Sequence, residues 1–440
     1  MMKKGLLFLL MLMLSVCAFG QEAPRALTLQ ECIKIALENN LRVKRSIYTL
    51  KTSEINLLQS KMAMLPTANA GASFGRNFGR ALNPVDNDYV NKNSNSANLQ
   101  GTTSVTVFNG FRIQNTIKQN SRDFEASGQD LQKAKNDVML SVVSNYTNVV
   151  FNKELYANAE YQLKSSQEQL ERIKKQVSAG SLPLSNQLNQ EAQVATNEVN
   201  LINQENALNL SLLQLKQSMQ IGGATLIDVV VPPIELEDLV LDNSPEQVYG
   251  MAIGTMPEIK SANLRVQSAD FALKAAKGNI LPRLSANGSA QTNYSELSPF
   301  PFSDQVNNNL YKNIGLNLTV PIFNGLQSRS AVQRAAVTKE VANITKQETE
   351  NTLRQSIETA YNDALSASKT YAASLKQVNA REEAYRMTKQ RFEIGAANYV
   401  EFRISENDLF QAKSDLARAK YNFIFRKKLL DFYQGKSIEF

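Results

Sequence analysis

The chain has no histidine and no tryptophan in 440 residues, and only two cysteines, Cys17 and Cys32. Without imidazole, and with so few thiols, the usual zinc sites and His-based catalytic pairs have nothing to be built from. Carboxylates remain, but Asp and Glu are scattered rather than paired, so no catalytic residue, metal site or cofactor site is expected and the chain does not read as an enzyme. Long apolar runs are also missing. The one such run, Leu6 to Val16, is too short to cross a bilayer as a helix. It follows Met1-Met2-Lys3-Lys4 and precedes "AFGQ" at Ala18 to Gln21, which together describe a secretory signal peptide over residues 1–20. A competing reading takes "LSVC" at Leu14 to Cys17 as a lipoprotein site with Cys17 lipidated. Loss of the leader leaves Cys32 alone, which rules out an intrachain disulfide. The formal charge of +7 falls to +5 without Lys3 and Lys4, and no block of like charges marks a nucleic-acid arm.

Proline is unevenly spread: there is none from Phe111 to Val177, and none after Pro321. What fills the space is a repeat. "VTVFNG", with Phe108, Asn109 and Gly110, returns as "VPIFNG", with Phe323, Asn324 and Gly325, at an offset of 215. Pro66 in "MLPTANAGAS" matches Pro282 in "ILPRLSANGS", and Lys44 in "ENNLRVK" matches Lys260 in "GTMPEIK", both at 216. Gly180 in "QVSAGS" matches Gly395 in "RFEIGA" at 215. Landmarks that keep step over half a chain indicate a duplicated unit. The organisation expected is a leader (1–20), a first repeat (21–220), a linking segment (221–243) and a second repeat (244–440).

Within each unit the texture changes twice. Ala68, Ala70, Ala72 and Phe74 alternate with Thr67, Asn69, Gly71 and Ser73. Leu99, Thr103, Val105 and Val107 alternate with polar neighbours before the first Phe-Asn-Gly. Leu284, Ala286, Gly288 and Ala290 do the same in the second unit, as do Ile314, Leu316, Leu318, Val320 and Ile322. This is the period of a two-faced strand, and runs of about ten residues are long enough to cross a bilayer when tilted. "RNFGRALNPVDNDYVNKNSNS" and "TNYSELSPFPFSDQVNNN" separate the members of each pair and read as exposed loops. After each Phe-Asn-Gly a Pro-free, Gln/Lys/Ala-rich stretch, Phe111 to Val177 and Leu326 to Glu393, predicts a helix roughly 100 Å long. Gly180 and Gly395 then break it, and helices return over Leu184–Met219 and Tyr399–Phe432. Further helical runs, Leu29–Met62 and Glu246–Lys277, precede the strands.

Four membrane-type strands cannot close a barrel, and lipid does not tolerate an open edge. Three copies supply twelve strands, enough for a wide lumen. The fold expected is therefore an α+β membrane protein, internally duplicated, forming a trimeric 12-stranded β-barrel continued by a long α-helical barrel. A trimeric surface adhesin also builds twelve strands from four per chain, but its strands are contiguous. A periplasmic coiled-coil adaptor accounts for the helices but not for the strands.

The Phe-Asn-Gly ends, the Leu-Pro before strands and "RFEIGAANYVE" at Arg391 to Glu401 resemble the TolC family of outer-membrane efflux proteins, in order and across nearly the whole chain after the leader. The resemblance implies a homotrimer in the outer membrane whose helical part lies in the periplasm. It also implies a closed tip that docks a periplasmic adaptor bound to an inner-membrane transporter. Such an assembly, for efflux or type I secretion, expels drugs, metals or proteins and has no nucleic-acid partner. Carried onto this chain, the resemblance makes Gly180 and Gly395 adaptor-docking tip turns. It makes Glu401 a pore constriction, although Ile404 stands where many members carry a second carboxylate and Asn186 is the first-half counterpart of Glu401. Phe108, Asn109, Gly110, Phe323, Asn324 and Gly325 fall at the barrel–helix junction, the glycines allowing the bend. Arg386, Lys389 and Arg391, with Arg172, Lys174 and Lys175, precede the tip turns at helix C-termini, where cations are favoured.

Overall fold

The computed structural model describes residues 25–83, 86–223, 225–232, 241 and 243–436. The expected leader, with Cys17, lies outside the described residues, as does much of the linking segment. In chain order the elements are β1 (Arg25–Leu27), α1 (Leu29–Asn39), α2 (Leu41–Met62), β2 (Thr67–Asn77), β3 (Arg80–Leu82), β4 (Tyr89–Asn91), β5 (Ser94–Phe108), α3 (Arg112–Ser178) and α4 (Leu184–Met219). Then follow β6 (Ile227–Val229), α5 (Pro245–Thr255), α6 (Pro257–Gly278), β7 (Arg283–Ser295), α7 (Phe302–Asn308), β8 (Tyr311–Thr319), α8 (Gln327–Glu393) and α9 (Tyr399–Tyr433).

The duplication is written into the backbone as well as the side chains. Thr28 and Ser244, 216 residues apart, each cap a helix with a reciprocal box, to Glu31 and to Gln247; each cap is worth about 1 kcal/mol. The helical runs Leu29–Met62 and Glu246–Lys277 are each interrupted where a single helix was expected. Asn40 and Met256 leave the helix at φ −61°, ψ 127° and φ −66°, ψ 129°. Met256 precedes Pro257, whose ring disfavours helical angles in its neighbour, and the Asn40 side-chain oxygen accepts from the Arg42 amide at 2.9 Å, competing with the helix.

Two compact units form, and each draws on both repeats. The first comprises residues 1–46, 131–256 and 351–440, and the second comprises 47–130 and 257–350. The core of the first gathers Cys32, Ala36, Val43, Val142, Tyr146, Val149, Leu215 and Met219 around the parallel pair β1–β6. Part of the segment read as a link, Ile227–Val229, is thus a strand. The Tyr146 hydroxyl reaches the Val230 and Leu27 carbonyls at 2.6 and 3.2 Å, and Lys153 meets Asp228 at 2.8 Å. Cys32 is fully buried in this core, and burial pushes its thiol up to about 12.

The second unit holds an antiparallel sheet in the order β2-β5-β7-β8. Register keeps the two faces apart across all four strands. Ala72 opposes Leu99, Leu99 opposes Thr292, Ala286 opposes Leu316 and Gly288 opposes Ile314; on the other face Asn69 opposes Thr102, Ser104 opposes Asn287 and Asn287 opposes Gly315. One side is therefore mainly Ala, Leu, Ile, Val and Phe, with the cations Arg76 and Lys312 only near its loop end, and the other is Ser, Thr, Asn and Gln. Beyond β2 the first surface loop carries the small hairpin β3–β4, and the second carries α7, where only loop was expected. β8 ends at Thr319, short of the expected Ile322; Pro321 has no N–H to give to a ladder.

Candidate functional site

Both strand-to-helix corners use consecutive left-handed residues. Gly110 and Phe111 have φ of 66° and 60°, and Gly325 and Leu326 have 62° and 64°. A bulky residue is strained in that conformation, so a corner that holds Phe111 and Leu326 there is strongly determined by its surroundings. A register shift between Thr106 and Phe108 turns Phe108 onto the apolar face opposite Leu284. Its ring packs edge-on against Phe111, centroids 5.4 Å apart. Asn109 and Asn324 start the helices by accepting from the Ile113 and Ser328 amides. The corners differ in packing. Asn109 is buried, with its Nδ2 unpartnered, whereas Phe323 and Asn324 stand exposed. A methyl group on Gly110 would come within 2.5 Å of the Gly278 carbonyl oxygen, while one on Gly325 would meet nothing within 4 Å.

At the far ends of the long helices, Gly180 and Gly395 adopt φ of 75° and 74°. Each closes a six-to-one hydrogen bond just past the helix, Ser181 to Gln176 and Ala396 to Arg391. Space around both glycines is open. Asn398 caps α9 by accepting from the Glu401 amide at 2.9 Å. The Glu401 carboxylate is about half exposed and lies 3.7 Å from Arg391, a loose pair worth little in water. Asn186 lies in the first turn of α4. Three of the six cations expected to cluster here are engaged along their own helices: Arg386 with Glu383 at 2.6 Å, Lys174 with Glu171 at 3.0 Å and Arg172 with Gln169.

Sequence reasoning missed a buried polar network that lies within about four turns of these glycines. Gln190, fully buried, donates to the Ser166 carbonyl at 2.9 Å and accepts from the Tyr399 hydroxyl at 2.7 Å, tying α3, α4 and α9 together. Glu406 is 3% exposed, with Arg403 3.9 Å away and one Arg403 nitrogen, Nη1, buried without a hydrogen-bond partner. The signal was in the spacing, since Phe402, Glu406 and Leu409 share one helix face. Burial pushes the Glu406 carboxyl above its ordinary 4.5, opposed by Arg403, Lys389, Arg172 and the Ser165 hydroxyl. A folded-state value above the unfolded one means that the contribution to stability is complete below about 4.5 and is lost as pH rises through the folded value. Hydrogen exchange of the α9 amides is expected to quicken, relative to Glu406→Gln, as pH rises upward from that point. Parallel profiles for the two proteins would contradict this placement of the charge.

Among the described residues no helix is long and apolar enough to cross a membrane; the two-faced sheet is the element suited to lipid. The profile of the family described as "Outer membrane efflux protein" matches residues 32–219 and 248–428, one stretch in each repeat. The chain belongs to this family. It resembles the outer membrane efflux protein BepC of Brucella suis at 22% identity, covering 94% of this chain and 86% of that protein. The outer membrane protein TolC of Escherichia coli matches at 21% identity over 92% and 81%. The crystal structure of the Campylobacter jejuni CmeC outer membrane channel superposes with a TM-score of 0.79 at 18% identity, covering 92% and 85% of the two chains. This outer membrane efflux protein accordingly has the trimeric channel fold, four strands from each chain contributing to a 12-stranded barrel in the outer membrane and the long helices lying in the periplasm. It is an exit duct for efflux or type I secretion.

Proposed function

We propose that this duct is passive and non-catalytic, that the Gly180 and Gly395 turns receive the periplasmic adaptor, and that Glu401 sets charge preference at the narrow end. The observation that carries the reading is the division of the sheet into two faces. On its polar face, Asn69, Gln100, Thr102, Asn287, Gln291 and Asn313 belong to a wall of amides and hydroxyls on which, among the described residues, Arg283 is the one charge. Such a wall hydrogen-bonds to varied solutes and selects none by charge, so discrimination falls to the helical end and to the pump. The open space around both tip glycines supports docking, because a partner's backbone can approach them closely. In the same way, the substrate classes named for relatives, antibiotics, pyoverdine and proteases, fit a duct whose cargo is set by its pump. The first-repeat and second-repeat hairpins act as equivalent docking elements in this reading.

Three Glu401 carboxylates gathered at a constriction attract cations and repel one another. Their loose contact with Arg391 moderates this but, at 3.7 Å and half exposed, does not cancel it. In planar bilayers the purified protein is expected to conduct without an energy source and to prefer cations. Glu401→Gln should weaken that preference roughly two- to threefold and relieve divalent block. Unchanged selectivity would remove the ring, and a protein that never conducts would remove the duct.

A further inference from the structure

The second surface loop, residues 296–310, turns outward. Thr292 and Tyr294 belong to the apolar face of β7, through the pairing of Thr292 with Leu99 and of Tyr294 with Ala97. The Thr292 hydroxyl donates to the Val306 carbonyl at 2.7 Å, and the Tyr294 ring meets the Phe302 ring at 5.3 Å. Helix α7 therefore lies against the side of the sheet that faces lipid, not over the polar lumen. The loop is held there firmly. Gln305, 4% exposed, accepts from the Ser295 amide and donates to the Ser295 and Phe300 carbonyls, and Glu296 takes the Asn95 amide at 2.7 Å. Yet this rigid cap leaves Phe300, Phe302 and Leu310 exposed at 57%, 55% and 47%. Beside it an open trough of about 470 Å³ is bounded mainly by Ala70, Ala72, Leu99, Ala290 and Leu310, with Thr292, Gln100 and Gln291 also on its lining.

The geometry points to a lipid-binding loop: Phe300 and Phe302 insert into the outer leaflet, and an acyl chain of that leaflet lies in the trough between the loop and the strands. Lipid is the occupant because the loop and trough are continuous with the membrane-facing surface, at the end of the sheet away from the helices. Aromatic rings favour that interfacial depth. Glu296 is already committed to Asn95, which leaves Asp304 as the remaining charge of the loop.

The absence of tryptophan makes the test clean. Phe302→Trp, Leu316→Trp and Tyr311→Trp, the last on the polar face opposite Gln291, are each reconstituted as full-length trimers in vesicles of phosphatidylcholine with or without brominated acyl chains. Phe302→Trp is expected to emit to the blue and to lose most of its emission in brominated lipid, as Leu316→Trp does, while Tyr311→Trp responds to aqueous iodide instead. If Leu316→Trp is quenched by the lipid but Phe302→Trp is not, the loop proposal fails, whether iodide reaches the loop indole or a neighbouring subunit shields it. If Leu316→Trp also escapes, the barrel reading fails along with it.

Discussion

Gly110→Ala is expected to destabilise the protein by about 3 kcal/mol or more, whereas its repeat partner Gly325→Ala costs roughly 1–2 kcal/mol. Both glycines occupy the left-handed region, so each substitution meets the same backbone penalty. Only at Gly110 would the new methyl group strike backbone, with the Gly278 oxygen at 2.5 Å and its Cα at 2.9 Å. The approach is mutual, because a methyl on Gly278 would lie 2.7 Å from the Gly110 oxygen. Backbone at the end of α6 cannot rotate away as a side chain would, so relief requires moving the helix. Urea denaturation of the detergent-purified variants measures the difference; equal losses at the two corners would show that the packing asymmetry is not real.

The second large effect concerns the sheet. Leu316→Lys places an ammonium on the apolar face in the middle of β8, where the lone chain leaves Leu316 74% exposed. A charge near the bilayer midplane costs about 2–4 kcal/mol, and three copies raise that to roughly 6–12 kcal/mol per trimer. Asn317→Lys, one residue along, points to the polar face and is expected to fold into vesicles nearly as well as the parent protein. Folded yield in lipid, followed by resistance to protease, measures both. Equal tolerance of the two lysines would mean that the faces are assigned wrongly.

Much of this was legible in the sequence because the repeat and the alternation are local patterns. Pro66, Gly110, Gly180 and their partners near 282, 325 and 395 each mark a break that the backbone requires, and the Pro-free stretches ran as single helices of 67 residues, as their composition suggested. What escaped depended on contacts distant in sequence. Nothing in the identical tripeptides Phe108-Asn109-Gly110 and Phe323-Asn324-Gly325 reveals that one corner is pressed against Gly278 and the other is free. Helix α7 was hidden in an Asn/Ser/Pro-rich segment because its hold on the sheet comes through Gln305 and Thr292 rather than through helical periodicity. The spacing of Phe402, Glu406 and Leu409 put Glu406 on an inward face of α9, but not which charges of α3 and α8, Arg172 and Lys389, would face it. The breaks at Asn40 and Met256 are different: their causes are local, Pro257 for the second and the Asn40 side chain for the first, and the reading of each run as one helix passed over them.

The account turns on assembly. The described sheet has two free edges, β2 and β8, with a lipid-ready face between them, and only closure with other copies satisfies the backbone groups on those edges in a membrane. Native mass spectrometry of the protein released from detergent tests this most directly. A single species at three times the mass of the mature chain is the expected result. A stable monomer that needs no detergent to stay in solution would contradict it.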